Sequence, residues 1–127
     1  MLLWLNSAII TNMNTSGIQS IAIKVSGSNY ALLDNMDGLQ KLMRDISKAA
    51  SLHPLESVTH QFSPQGVSSA LLLSESHIAV HTWPESGTAY ISMTTCKPLN
   101  DVTIQQIQEL VGQELAAEDI TMKKVDL

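Results

Sequence analysis

The chain has 127 residues, a net charge of −5 and a single cysteine. Its length suits one domain, its acidity argues against binding nucleic-acid phosphates, and one cysteine excludes an intramolecular disulfide. No apolar run reaches the roughly 20 residues of a membrane-spanning helix. We therefore expect a cytoplasmic protein with neither a nucleic-acid nor a membrane partner.

The first ten residues form an apolar run with no basic residue ahead of it. A secretory signal would need such residues, and a small-residue cleavage site after the run. The segment is interpreted as an extra strand, a disordered extension, or the product of an upstream start codon, with Met13 as the real beginning. We expect residues 1–16 to carry no functional residue and residues 17–127 to form a single domain.

Alternation of apolar and polar residues predicts strands along much of the chain. In the first strand Ile21, Ile23 and Val25 share one face, and turn residues at 26–29 end it. The predicted strands are Ile18–Val25, Ser57–Phe62, Val67–Leu73, Ile78–Thr82, Thr88–Thr95 and Thr121–Val125.

Two segments, residues 39–50 and residues 104–115, repeat apolar residues at helical spacing. The resulting order, with strands running consecutively between two helices, predicts an α+β fold: an antiparallel sheet with two helices on one face. The other face needs a cover, which dimerisation into a layered α/β sandwich would supply. The candidate caps are Asn35 or Asp37 for the first helix and Asn100 or Asp101 for the second.

Residues 60–96 concentrate the side chains that can do chemistry. They include three of the four histidines, the only cysteine and the only phenylalanine. A metal site is one interpretation, because His77 and His81 are four residues apart and a helix or a strand brings such a pair to one face. A second pair of ligands is missing, which disfavours this interpretation.

Cys96 offers a second chemistry, because a thiolate with a histidine base is a common nucleophilic pair. Cys96 and His81 could meet across adjacent strands. Against this, no third residue is evident to orient the histidine, and a lone cysteine is more often a small buried apolar residue.

The polar tetrad Ser74-Glu75-Ser76-His77 lies between two apolar strands and offers a third chemistry. A tight bend there can strain the peptide before a serine and present its carbonyl carbon to the serine oxygen. Serine is also common in plain hairpin turns, which composition and spacing alone favour.

Four sequence words in this region stand in a fixed order and spacing. They are FSPQGVS at 62–68, SESH at 74–77, HTWPE at 81–85 and TC at 95–96. In these words the chain resembles the bacterial-type S-adenosylmethionine decarboxylases, which are made as proenzymes that cleave themselves. The resemblance extends more weakly over residues 17–50.

The resemblance implies that Ser76 Oγ attacks the carbonyl carbon of Glu75 and converts the peptide into an ester. Elimination then leaves dehydroalanine, which loses ammonia to give a pyruvoyl group and the pieces 1–75 and 76–127. The pyruvoyl carbonyl would form a Schiff base with the substrate amine, and the neighbouring amide carbonyl would draw in the electrons released as carbon dioxide leaves. Pyridoxal phosphate plays this electron-sink role in other enzymes.

The resemblance also implies roles for the helpers. His81 matches the histidine that moves a proton during processing, and Ser68 matches the hydroxyl that assists it. Cys96 matches the donor that protonates the α-carbon after decarboxylation.

For the substrate, Phe62 matches the aromatic residue that stacks on adenine, and Glu85 matches the acid that holds the ribose hydroxyls. Trp83 either lines the pocket or packs as a core indole. His77 either serves the site or shapes the turn.

The implied assembly is a homodimer of cleaved protomers packed sheet to sheet, with the sites at the interface. The implied product is the aminopropyl donor for spermidine synthesis. Lys97 stands where the family usually has a glycine, and the strand 88–94 lacks the usual aromatic residue and acid. A pyruvoyl-dependent decarboxylase of arginine or ornithine, or a non-cleaving ligand-binding paralogue, is therefore the alternative.

Overall fold

A computed structural model describes residues 17–127, and the predicted extension at 1–16 lies outside the described residues. The described chain forms strands, α-helices and one 3₁₀ turn, Pro84–Ser86. The strands are β1 Gln19–Ser26, β2 Pro54–Gln61, β3 Val67–Leu73, β4 Ser76–Trp83, β5 Thr88–Thr95 and β6 Asp119–Asp126. The helices are α1 Tyr30–Leu33, α2 Met36–Ala49 and α3 Asp101–Glu114.

The predicted strands and both predicted helices are confirmed, while α1 and the 3₁₀ turn were not predicted. Each long helix begins at an asparagine cap. The Asn35 side chain accepts a hydrogen bond from the Gly38 N–H, and the Asn100 side chain accepts one from the Thr103 N–H. These bonds satisfy amide groups that have no partner within the first helical turn.

The strands form one sheet in the order β2-β3-β4-β5-β1-β6, and every neighbouring pair is antiparallel. The predicted α+β class with an antiparallel sheet is therefore confirmed. Strands β4 and β5 lie in the middle of the sheet, where both edges of each are hydrogen bonded.

The two faces of the sheet have opposite character. On one face, apolar residues such as Ile78, Val80 and Ile91 are fully buried together with the apolar stripes of α2 and α3. The opposite face carries no helix within residues 17–127, and we call it the open face. On strands β3, β4 and β5 its residues include Ser68, Ala70, Leu72, His77, Ala79, His81, Tyr90, Ser92 and Thr94.

On the outer side of the helices, a charged cluster joins α2 to α3. Lys41 Nζ lies 2.7 Å from Asp45 Oδ2 and 3.7 Å from Glu114 Oε2. Partial burial, followed by the hydrogen bond and charge of Asp45, raises the pKa of Glu114 to about 7. The hydrogen bond from Glu114, then that from Lys41, lowers the pKa of Asp45.

This cluster makes stability depend on pH. Between the unfolded pKa of Glu114 and its folded value of about 7, the folded chain binds more protons, so the free energy of unfolding falls as pH rises. The lowered pKa of Asp45 acts only at more acidic pH. Glu114→Gln should flatten the decline in urea-unfolding free energy between about pH 5 and about pH 8. The exposed Glu109→Gln is the control, and an unchanged slope in Glu114→Gln would contradict the assignment.

Candidate active site

The loop between β3 and β4 is a two-residue hairpin at Ser74 and Glu75, because Leu73 pairs directly with Ser76. Glu75 has a φ of 61°, in the left-handed region that residues other than glycine rarely adopt. The predicted bend is thus present. Backbone strain is located at the residue whose carbonyl carbon precedes Ser76.

Ser76 is the first residue of β4 and points to the helix-covered face, where it is 5% exposed. Its Oγ has no hydrogen-bond partner among the residues that the structure describes. A buried hydroxyl without a partner costs free energy, so it is the kind of group that calls for a functional explanation.

Cys96 lies at the same end of the sheet as Ser76. His77 pairs with Thr94 across β4 and β5, so the next pair outward is Ser76 with Thr95, and Cys96 follows at once. Cys96 is half-buried and lines a cleft between the end of α2 and the connector before α3. We call Glu75, Ser76 and Cys96 the hairpin end.

The remaining predicted site residues gather at the opposite end of β3 and β4. Ser68 and His81 face each other in the strand register, and Ser68 Oγ lies 2.7 Å from His81 Nδ1 in a hydrogen bond. Both line a cleft with Phe62, Trp83 and Glu85. We call these five residues the histidine end.

The aromatic residues of the histidine end are open to solvent. Phe62 is 47% exposed and Trp83 is 44% exposed, so the alternative of a packed core indole for Trp83 is wrong. The Phe62 ring meets the His60 ring edge to face, with centroids 4.5 Å apart. Both aromatic residues therefore offer ring surface to a ligand.

The two ends do not meet within one chain. Ser76 and His81 are five residues apart on β4, so they lie on opposite faces and about 16 Å apart. The hypothesis that Cys96 and His81 meet across adjacent strands is also wrong within one chain. His81 pairs with Tyr90, and Cys96 lies beyond the far end of that strand.

His77 is exposed on the open face, next to Ser76 in the chain but pointing away from it. It shares that face with His81, as predicted for residues four apart on a strand. Within residues 17–127, no group of three or more histidine, cysteine or acidic side chains is arranged to hold a metal ion.

Three further residues, which were not predicted from the sequence, hold the histidine end in place. The Asp34 carboxylate accepts hydrogen bonds from the Gly66 N–H at 2.8 Å and from Gln61 Nε2 at 3.0 Å. Gln65 Nε2 donates to Glu85 Oε1 at 3.3 Å. The third is Thr82, which is buried beneath the cleft. Gln65 and Thr82 lie inside the sequence motifs described above, and Asp34 lies outside them. No local sequence pattern predicts any of these hydrogen bonds.

Comparison with known proteins gives consistent relatives. A profile of the S-adenosylmethionine decarboxylase family matches residues 19–126. The S-adenosylmethionine decarboxylase proenzyme of Methanococcus maripaludis is 42% identical over 96 residues, 74% of this chain and 79% of the relative. The proenzyme of Clostridium tetani is 33% identical over 113 residues, 89% of this chain and 87% of the relative.

Solved structures agree on the fold. The adenosylmethionine decarboxylase of Aquifex aeolicus superposes with a TM-score of 0.72 at 26% identity, covering 87% of this chain and 89% of that chain. A Trypanosoma brucei AdoMetDC monomer shares the fold, with a TM-score of 0.59 at 17% identity over 82% of this chain and 44% of that chain.

The one-layered antiparallel sheet, its helix cover and these likenesses define an α+β decarboxylase. The chain belongs to the S-adenosylmethionine decarboxylase family. The family and the enzyme class predicted from the sequence are confirmed. Within residues 17–127, no helix has the length and apolar character needed to cross a membrane.

The buried hydroxyl of Thr82 supports the histidine end and can be tested directly. It donates to the Leu33 carbonyl at 2.7 Å and accepts from the Val67 N–H at 2.9 Å. Thr82→Val keeps the shape of the side chain but leaves the Leu33 carbonyl and the Val67 N–H without this partner. The free energy of unfolding measured in urea should therefore fall by about 2 to 4 kcal/mol. Thr121→Val, on the exposed surface of β6, should change stability little. A stable Thr82→Val would show that water replaces both bonds.

Proposed function

We propose that the chain is a self-processing S-adenosylmethionine decarboxylase that cleaves itself between Glu75 and Ser76. The observation that carries the proposal is the hairpin end. A strained Glu75 directly precedes a buried Ser76 hydroxyl that has no competing partner among the described residues. A free hydroxyl next to a strained carbonyl is the arrangement that an intramolecular acyl shift requires.

In the proposed reaction, Ser76 Oγ attacks the Glu75 carbonyl carbon, and the peptide C–N bond breaks as the ester forms. Loss of the Ser76 α-proton then expels Glu75 as a carboxylate. The dehydroalanine left behind tautomerises to an imine, and water releases ammonia to leave a ketone. Each proton transfer needs a carrier, and the hydrogen-bonded pair Ser68 and His81 supplies a hydroxyl and an imidazole.

The hairpin end fits a pyruvoyl group, because Ser76 provides its atoms and no separate cofactor site is needed. Once formed, the group supplies an electrophilic carbonyl and an electron sink for decarboxylation. Cys96 lies just beyond the strand position opposite Ser76, on the wall of an open cleft. In the proposed cycle its thiol holds the proton that the product receives at its α-carbon.

The histidine end suits the nucleoside part of the substrate. Exposed rings of Phe62 and Trp83 give flat surface for adenine, and stacking of a base on an aromatic ring contributes about 1 to 3 kcal/mol. The exposed carboxylate of Glu85 can accept both hydroxyls of a ribose. Arginine and ornithine have neither group. The proposed product is the aminopropyl donor for spermidine synthesis.

Because Ser76 and His81 lie far apart within one chain, we place the histidine end of one protomer next to the Glu75–Ser76 peptide of its partner in a homodimer. The open face has a central row of small residues that lies midway between the row of His81 and the row of His77. A two-fold axis along this row would bring the histidine end of one protomer over the hairpin end of its partner. The row runs across the sheet through the small residues Ala70, Ala79, Ser92 and Ala22 and ends at Val58 on the edge strand β2.

Self-cleavage is tested by the mass of the denatured protein. We expect two fragments, residues 1–75 and residues 76–127, with the second blocked at its N-terminus by the ketone. Ser76→Ala should remain intact, while Ser57→Ala on the exposed surface of β2 should cleave normally. A single intact mass for the unmodified chain after prolonged incubation would overturn the proposal.

The shared site is tested by mixing two inactive variants with different masses. Ser76→Ala retains the histidine end, and His81→Ala retains the hairpin end. Each should stay intact alone, whereas refolding them together should allow cleavage of the His81→Ala chain only. If that chain remains uncut in the mixture, the site is not shared between protomers, even if the unmodified chain cleaves.

Substrate choice is tested by carbon dioxide release from S-adenosylmethionine, arginine and ornithine. We expect release from S-adenosylmethionine alone. Glu85→Gln should lower kcat/KM about 10- to 100-fold, because it weakens charge-assisted hydrogen bonds to the ribose. Faster release of carbon dioxide from arginine or ornithine would overturn the proposal that S-adenosylmethionine is the substrate.

A further inference from the structure

The short helix α1 contacts the histidine end, although it lies outside the sequence motifs that carry the family resemblance. The Tyr30 hydroxyl donates to Gln65 Oε1 at 3.3 Å. At the other end of the helix, Asp34 accepts from the Gly66 N–H. Both contacts fall on the loop between β2 and β3, and Gln65 and Gly66 of that loop line the cleft of the histidine end.

The Tyr30 contact fixes which way Gln65 points. Because the hydroxyl donates to the amide oxygen, the amide nitrogen of Gln65 faces Glu85 and donates to its Oε1 at 3.3 Å. No cation of the described chain lies within ion-pair distance of Glu85. The amide is therefore the group that orients this carboxylate, and it leaves Oε2 for a ligand.

The Asp34 contact fixes the end of the same loop, directly before β3. Asp34 Oδ1 holds the N–H of buried Gly66, and the Gly66 carbonyl accepts from the Phe62 N–H at 2.8 Å. Gly66 has a φ of 107°, and a Cβ added there would lie 3.3 Å from the Thr82 carbonyl oxygen, so this position favours glycine. Asp34 and Phe62 are thus connected through the backbone of Gly66, to which both are hydrogen bonded.

We propose that Tyr30 and Asp34 are positioning residues for substrate binding. Tyr30 orients Glu85 through Gln65, and Asp34 holds the backbone that carries Phe62. The inference rests on the proposed function, in which Glu85 binds the ribose and Phe62 binds the adenine. Neither positioning residue is hydrogen bonded to Ser68, His81 or the hairpin end, so their loss should weaken nucleoside binding by a larger factor than it slows self-cleavage or lowers kcat.

The Tyr30 role is tested with two competitive inhibitors of the cleaved enzyme: 5′-methylthioadenosine and its 2′,3′-dideoxy analogue. The unmodified enzyme should favour the hydroxyl-bearing inhibitor. Tyr30→Phe and Gln65→Ala should each reduce that preference about two- to fivefold, the equivalent of one weakened hydrogen bond. Gln105→Ala, on the exposed side of α3, is the matched control and should keep the full preference.

The Asp34 role predicts a different pattern with the same inhibitors. Asp34→Ala should raise both inhibition constants about tenfold and leave their ratio unchanged, because the adenine platform moves while Glu85 stays in place. Asp34→Asn keeps an acceptor oxygen and should restore most of the affinity. Asp37→Ala, an exposed acid of α2, is the control. All assays are run well below the melting temperature of each variant.

Inhibitor preference that is unchanged in Tyr30→Phe and Gln65→Ala would overturn the role of Tyr30. Unchanged inhibition constants in Asp34→Ala would overturn the role of Asp34. An unmodified enzyme that cleaves but binds both inhibitors equally would instead overturn the role of Glu85, and the Tyr30 inference with it. The variants and the unmodified enzyme thus fail in distinguishable ways.

Discussion

Side chains alternate between the two faces of β4, and this alternation decides where each reactive group lies. Ile78 and Val80 fill the core, so Ser76 must share their face and His81 must take the other. No rotamer change moves a side chain through a hydrogen-bonded sheet. The sheet that holds the fold together therefore separates the two groups within one chain. A partner laid over the open face adds its histidine on the same side as His81, so it can approach the Glu75–Ser76 peptide only at the end of β4, where the strand stops.

The sequence predicted the inner strands best. The observed bounds of β3 and β5 match the predicted ones, because each of these strands buries one face and keeps a period of two. The edge strand β2 begins three residues earlier than predicted, since nearly all of it is exposed and no alternation marks its start. Helix α1 is a single turn, too short to show any helical period.

The sequence predicted the residues of the site but not their separation into the hairpin end and the histidine end. The sequence motifs include residues of both ends but do not show that the ends lie apart. The odd spacing of Ser76 and His81 on one strand does imply that they lie on opposite faces. The bonds from Tyr30 to Gln65 and from Asp34 to Gly66 span 35 and 32 residues. Such bonds come from tertiary packing, which local patterns do not report.

The hairpin at Ser74 and Glu75 has a topological consequence for a chain that is cut there. Residues before the cut supply β1, β2 and β3, and residues after it supply β4, β5 and β6. In the sheet these strands interleave, so the pairings β3-β4, β5-β1 and β1-β6 all join one fragment to the other. Cutting the peptide would thus release no strand, because each fragment is hydrogen bonded to the other within one sheet. The new N-terminus would lie at the start of β4, a strand that is paired on both edges.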